Sequence, residues 1–216
     1  MRPQYTHRLA IVFLAILTTA GCGAVRYPKN YVLNFPPPPP SLSAPRDMRG
    51  ALAIQQFQCP EYLCEGRIVY RSSPEEVEFY EFHRWATNPR DMITQSLADR
   101  IRSQALFNAV VLKGTGVETA YVLKGNIERL EEVDEGRDVR VVCTISAQLL
   151  DTQTKSIIWT HTESQTIAIE DRNVAGVVSS LSAAAGTAVD NLVKSLAETL
   201  PSSTAEQIAN PLGRHR

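Results

Sequence analysis

From Val139 to Leu150 the chain alternates: Val141, Cys143, Ile145, Ala147 and Leu149 fall on one side, Arg140, Thr144, Ser146 and Gln148 on the other. A period of two marks a strand with one face buried and one wet. The fold must therefore contain a sheet and something apolar to cover it. Asp151 to Lys155 turns the backbone, and Ser156 to Ile169 returns as the partner strand. Upstream, Thr119 to Leu130 sets Tyr121, Leu123, Gly125 and Ile127 on a common side. The acidic run Glu131 to Asp138 between these strands reads as a solvated hairpin loop.

Further strands are expected at Gly50–Phe57, Arg67–Ser72, Val77–His83 and Val110–Leu112, with Ser73-Pro74-Glu75 turning the second into the third as an antiparallel hairpin. A helix follows. Asn88 can cap it, Pro89 suits its first turn, Asp91 complements its dipole, and Ile93, Leu97, Ile101 and Ala105 recur on one face before it ends by Phe107. A longer amphipathic helix spans Asp171 to Leu200, with Val174, Val178, Leu181, Ala185, Val189, Leu192 and Leu196 recurring every three or four residues. No charge occurs between Arg172 and Asp190. That face either meets another protein or subunit, or is a Ser- and Ala-rich surface that tolerates water. Together these elements predict an α+β fold, an antiparallel β-sheet with two α-helices packed on one face.

The N-terminus carries an address. Arg2 and Arg8 precede the apolar run Leu9 to Leu17, and small residues lead to Cys22 in Leu17-Thr18-Thr19-Ala20-Gly21-Cys22. This is the three-part plan of a signal peptide, and the run is too short to span a bilayer stably. Its end resembles the lipobox of bacterial lipoprotein precursors, in which the cysteine thiol is acylated and becomes the new N-terminus. An ordinary secretory peptide cut after Ala20 or Gly21 is the alternative. Several acyl chains, at about 0.8 kcal/mol per buried methylene, anchor durably where one does not. Under the sorting rule for such lipoproteins, Gly23 after the cysteine permits delivery to the outer membrane, periplasmic face. The expected organisation is a signal peptide over 1–21, a lipidated N-terminus and Pro-rich linker over 22–48, an α+β domain over 49–200 and a mobile tail over 201–216. The five prolines Pro36 to Pro40 favour a stiff rod of about 3.1 Å per residue, here expected as a spacer between membrane and domain.

Charge is nearly balanced, 22 Lys+Arg against 23 Asp+Glu, so no basic field for nucleic acid is present. Cys59 and Cys64 lie close enough in sequence to staple one loop in an oxidising compartment. Free thiols and a metal site are the alternatives, zinc being disfavoured because the four histidines offer no paired ligand spacing. Cys143 reads as a small core hydrophobe. No Gly-x-Ser-x-Gly, phosphate loop or dinucleotide fingerprint occurs. The acidic clusters at Glu75, Glu76, Glu78 and Glu81 and at Glu131, Glu132, Asp134 and Glu135 read as solvated edges. No catalytic residue, metal or cofactor is therefore assigned.

One group of motifs is more specific. Tyr31-Val32-Leu33, Tyr70-Arg71 closing a hairpin strand, Trp85-Ala86 before the first helix, Tyr121-Val122-Leu123-Lys124-Gly125 and the terminal helix together resemble the ABC-type transport auxiliary lipoprotein family across roughly Tyr31 to Leu200. The resemblance implies a non-enzymatic accessory of an envelope lipid-transport system. Its partners would be a periplasmic protein of the mammalian-cell-entry (MCE) type and an ABC permease and ATPase. The implied task is docking or tethering at the outer membrane, with a homo-oligomeric ring through the uncharged helix face as one arrangement. An outer-membrane assembly or secretion accessory is the rival expectation. Tyr70, Arg71, Arg84 and Trp85 have two readings: a cation stacked on an aromatic face within the hairpin, or anchors for a partner or a lipid headgroup.

Overall fold

The structure is a computed structural model, and it describes residues 26–37, 49–114 and 116–200. The signal segment, Cys22, most of the proline run and the tail lie outside those residues. In chain order the elements are β1 (Lys29–Tyr31), β2 (Arg49–Ile54), α1 (Glu61–Cys64), β3 (Arg67–Arg71), β4 (Glu78–Trp85), α2 (Pro89–Ser103), β5 (Phe107–Leu112), β6 (Tyr121–Glu135), β7 (Asp138–Asp151), β8 (Ile157–Ala168) and α3 (Val174–Thr199). The class is α+β, as the patterning predicts.

All eight strands join one sheet. β6, β7 and β8 form an antiparallel meander in register from Tyr121↔Asp151 to Glu135↔Asp138 and from Arg140↔Ala168 to Leu150↔Ile157. The far edge of β6 is shared. Its first residues pair with β2, as Leu52↔Tyr121 and Ile54↔Leu123, and its last with β3, as Val69↔Glu131 and Arg71↔Val133. Between these two partners the tip of the Phe57 ring abuts Gly125, where a Cβ would come within 2.1 Å of the ring. No side chain fits at that crossing.

The sheet is mixed. The β6–β8 meander and the β3–β4 hairpin are antiparallel, but β2 runs parallel to both β5 and β6, β3 parallel to β6, and β1 parallel to β4. Alternation reports a strand's buried face and is silent about its neighbour's direction. Here α1 carries the chain onward from β2 to β3 along the same edge of β6, and α2 brings it back so that β5 pairs parallel with β2.

α3 packs over β7 and β8, with α2 beside it and over β5. Val141, Cys143, Ile145 and Leu149 meet Leu181, Ala185, Val189 and Leu192 in a fully buried layer. The Asn88 side chain caps α2 as expected, accepting from the Arg90 N–H, and Asn173, two residues past the expected start at Asp171, caps α3 by accepting from the Gly176 N–H. Trp159 Nε1–H donates to Ser195 Oγ at 3.2 Å, tying β8 to α3.

Two expectations are corrected. The fold does not begin near Arg49 after a free spacer. β1 already pairs with β4, Leu33 is buried, and the Asn34 N–H donates to Ser182 Oγ at 3.0 Å on α3. Arg100 holds the same stretch: Nε–H donates to Asp190 Oδ1 at 2.5 Å, Nη2–H reaches the Pro36 carbonyl at 3.4 Å, and the guanidinium lies 5.7 Å over the Phe35 ring. The prolines thus connect two docked segments rather than separating anchor from domain. This docking also covers part of the uncharged face of α3, at Ser182 and Gly186, and leaves Ala175, Ser179, Ala183 and Thr187 exposed.

Nor is Glu131–Asp138 a solvated loop. β6 continues to Glu135, the turn is Gly136-Arg137 with Gly136 at φ +78°, and Glu131 and Glu132 are buried. Their partners come from strands distant in sequence.

Candidate functional site

Glu131 organises the chemistry at the C-terminal end of β6. Its carboxylate is 1% exposed and accepts from Arg71 Nε–H at 2.9 Å and Arg129 Nε–H at 2.7 Å. Parallel pairing of β3 with β6 sets Arg71 beside it, and Arg129 shares its strand. Arg71 also donates through Nη1–H to the Pro74 carbonyl at 3.1 Å and through Nη2–H to Tyr62 OH at 3.2 Å. The hydrogen bond to Glu131, against the opposing effect of burial, holds the Arg71 pKa above its ordinary value. Arg140, bound to Glu135 and Asp138, completes the rim of an open crevice of about 420 Å³.

Next to it is a second buried carboxylate. Glu132 accepts from Tyr80 OH at 2.5 Å, and the Tyr80 ring lies 5.1 Å from that of Tyr70. Burial raises the Glu132 pKa, opposed by the Tyr80 hydrogen bond and assisted by the charge of Asp134. Tyr80 is pushed up by burial and then by Glu132.

Of the four side chains singled out in the hairpin, the structure brings no pair together. Tyr70 bonds Glu78, Arg71 faces Glu131 and lies 5.5 Å over Tyr62, and Trp85 is buried. Only Arg84 is exposed. Cation–aromatic stacking does occur in this hairpin between other residues, Arg67 over Phe79 at 3.5 Å. The Cys59 and Cys64 sulfurs meet across α1, with Cα atoms 6.2 Å apart. Arg100, Arg129 and Tyr62 were missed in the sequence. Arg100 had a signal, a lone charge three residues after Leu97 on the apolar face of its helix.

Acid–base and nucleophilic groups are otherwise absorbed by structure. Tyr31 OH and His83 Nδ1 lie 3.1 Å apart, and His161 Nε2 and Glu163 Oε1 2.7 Å apart. Burial raises the Glu163 pKa, but hydrogen bonds from His161, Asn191 and Gln165 outweigh it and leave the carboxyl below its usual range. Cys143 is fully buried, its thiol pushed up to about 12 by desolvation, too high for a thiolate nucleophile. Among the described residues no three His, Cys, Asp or Glu side chains stand close enough to hold a metal. No described helix is long and apolar enough to cross a membrane.

Further depressions lie elsewhere on the described surface. One is a polar groove lined by Gln55, Gln58, Lys124, Asn126, Gln148 and Thr160. Another is a largely apolar groove between α2 and the β2–β5 edge, lined by Ile54, Met92, Thr94 and Leu112.

These features define an α+β domain with a mixed sheet and two helices packed over it. The family profile of the ABC-type transport auxiliary lipoprotein component matches residues 31–209, and the chain belongs to that family. Among solved structures it is similar to a Xanthomonas campestris protein of the DUF330 family, at 18% identity over 84% of this chain and 99% of that one, with a TM-score of 0.69. A second crystal structure, of an uncharacterized protein, is 15% identical over 79% and 99% with a TM-score of 0.61. At these identities the likeness speaks for the fold alone. No functionally curated protein sequence matches.

Proposed function

We propose that this chain is a non-enzymatic envelope lipoprotein, acylated at Cys22, that serves an ABC/MCE-type lipid-transport system by docking or tethering its periplasmic conduit at the outer membrane. The family match over 31–209 carries the proposal. The absorbed state of the buried carboxylates, histidines and Cys143 supports a contact role over a chemical one. Cys59 and Cys64 are assigned to a disulfide, which suits an oxidising periplasm. The energy source is the partner ATPase.

The experiment is capture of the acylated protein from detergent-solubilised envelopes of its native cell. Recovery of an ABC permease, its ATPase and an MCE-type protein is the expected result. Recovery of a β-barrel assembly or secretion complex in their place would overturn the reading.

A further inference from the structure

The docked N-terminal segment leaves very little chain for an anchor. Between the acylated Cys22 of the reading above, on which this inference rests, and Arg26, the first described residue, lie only Gly23, Ala24 and Val25. At full extension that stretch reaches at most roughly 14 Å. From Lys29 the backbone is fixed in the sheet. The β1 edge therefore cannot stand away from the bilayer, whatever the length of the proline run.

What that edge presents is cationic and aromatic. Arg26 lies 5.9 Å over the Phe82 ring, and Arg84 stands opposite Asn30 of β1 and Arg67 of β3. Lys29 and Arg84 are exposed, as are Tyr27 at 80% and Val32 at 53%. Two carboxylates share the area, Glu65, which pairs with Arg67, and exposed Glu81. Among the described residues Arg26, Lys29 and Arg84 have no carboxylate partner within 4.0 Å. Aromatic rings and arginines at headgroup depth, and unpaired cations over anionic lipid, are the groups a membrane interface favours.

We infer that the β1–β4 edge, centred on Arg26, Phe82 and Arg84, is a membrane-apposed face that rests on anionic phospholipid headgroups. The acyl anchor and this face then fix the domain's orientation. The β8 edge, reached from the other side of β6 through β7, is turned away from the bilayer and toward the periplasm.

The test is hydrogen exchange on the acylated full-length mature protein in nanodiscs, with Cys22 acylation verified by mass. Segments 26–32 and 79–85 should exchange more slowly in discs containing phosphatidylglycerol than in discs of phosphatidylcholine alone. The variant Arg26→Glu/Arg84→Glu should lose that difference while keeping the melting temperature of the parent. Ile157→Glu on exposed β8 should retain it. Equal exchange in both lipids with Cys22 acylated overturns this inference alone. An unmodified Cys22 overturns it together with the anchoring reading.

Discussion

Arg71 on β3 and Glu131 on β6 meet at 2.9 Å, with the carboxylate 1% exposed and the guanidinium reaching past it to Tyr62 and the Pro74 carbonyl. One ion pair thus connects the parallel β3–β6 join, the short helix and the hairpin turn. Removing one partner of a buried pair strands the other charge, typically at 3–5 kcal/mol. Arg129 still faces Glu131, which places Arg71→Met near the low end, about 3 kcal/mol. Chemical denaturation should show the loss, and Arg71→Met/Glu131→Leu should be less damaged than Arg71→Met alone.

Gly125 is forced by the ring above it. Any Cβ would overlap Phe57, a fully buried side chain, at 2.1 to 2.4 Å. Overpacking of this kind costs about 1–3 kcal/mol, and Gly125→Ala should lie in the upper half of that range by thermal unfolding. Combining it with Phe57→Leu should recover part of the loss, because the clash is with the ring and not the backbone.

The difference between these two sites shows what could be read from the sequence. Period-two alternation named β7 residue by residue, and Asn88 marks a helix start that any chain with those neighbours would use. Both signals are local. Glu131 looked like part of a solvated turn because Arg71 lies sixty residues away in sequence, and parallel pairing with β3 leaves no trace in either strand's pattern. Phe57 and Gly125 are likewise two ordinary residues until the strands that carry them are paired. Of the hairpin residues singled out, Arg71 belongs to the crevice and Arg84 to the membrane-apposed edge, roles that depend on partners the alternation does not name.

The N-terminal segment is predicted to be structural. Leu33→Ala removes a core side chain and should destabilise by about 2–3 kcal/mol. Arg100→Met, which releases Pro36, Phe35 and Asp190 together, should make the segment before the prolines susceptible to protease. A chain that tolerates Leu33→Ala, and in which Arg100→Met leaves that segment protected, would contradict the docked arrangement.

The acidic side of the pH profile follows from Glu132. Burial sets its folded pKa above the ordinary 4.5, so between those values the native state holds more protons than the unfolded one. Stability then falls as pH rises through that window. Glu135 and Glu163, held below 4.5 by Arg140 and by the His161, Asn191 and Gln165 hydrogen bonds, act in the opposite sense and lose their contribution as pH falls. Glu132→Gln keeps an acceptor for Tyr80 and removes only the buried charge. It should raise the melting temperature at pH 7, with the gain fading toward pH 4, where the native glutamate is already neutral. A gain that persists unchanged at pH 4 would mean that packing, and not ionisation, distinguishes the two side chains.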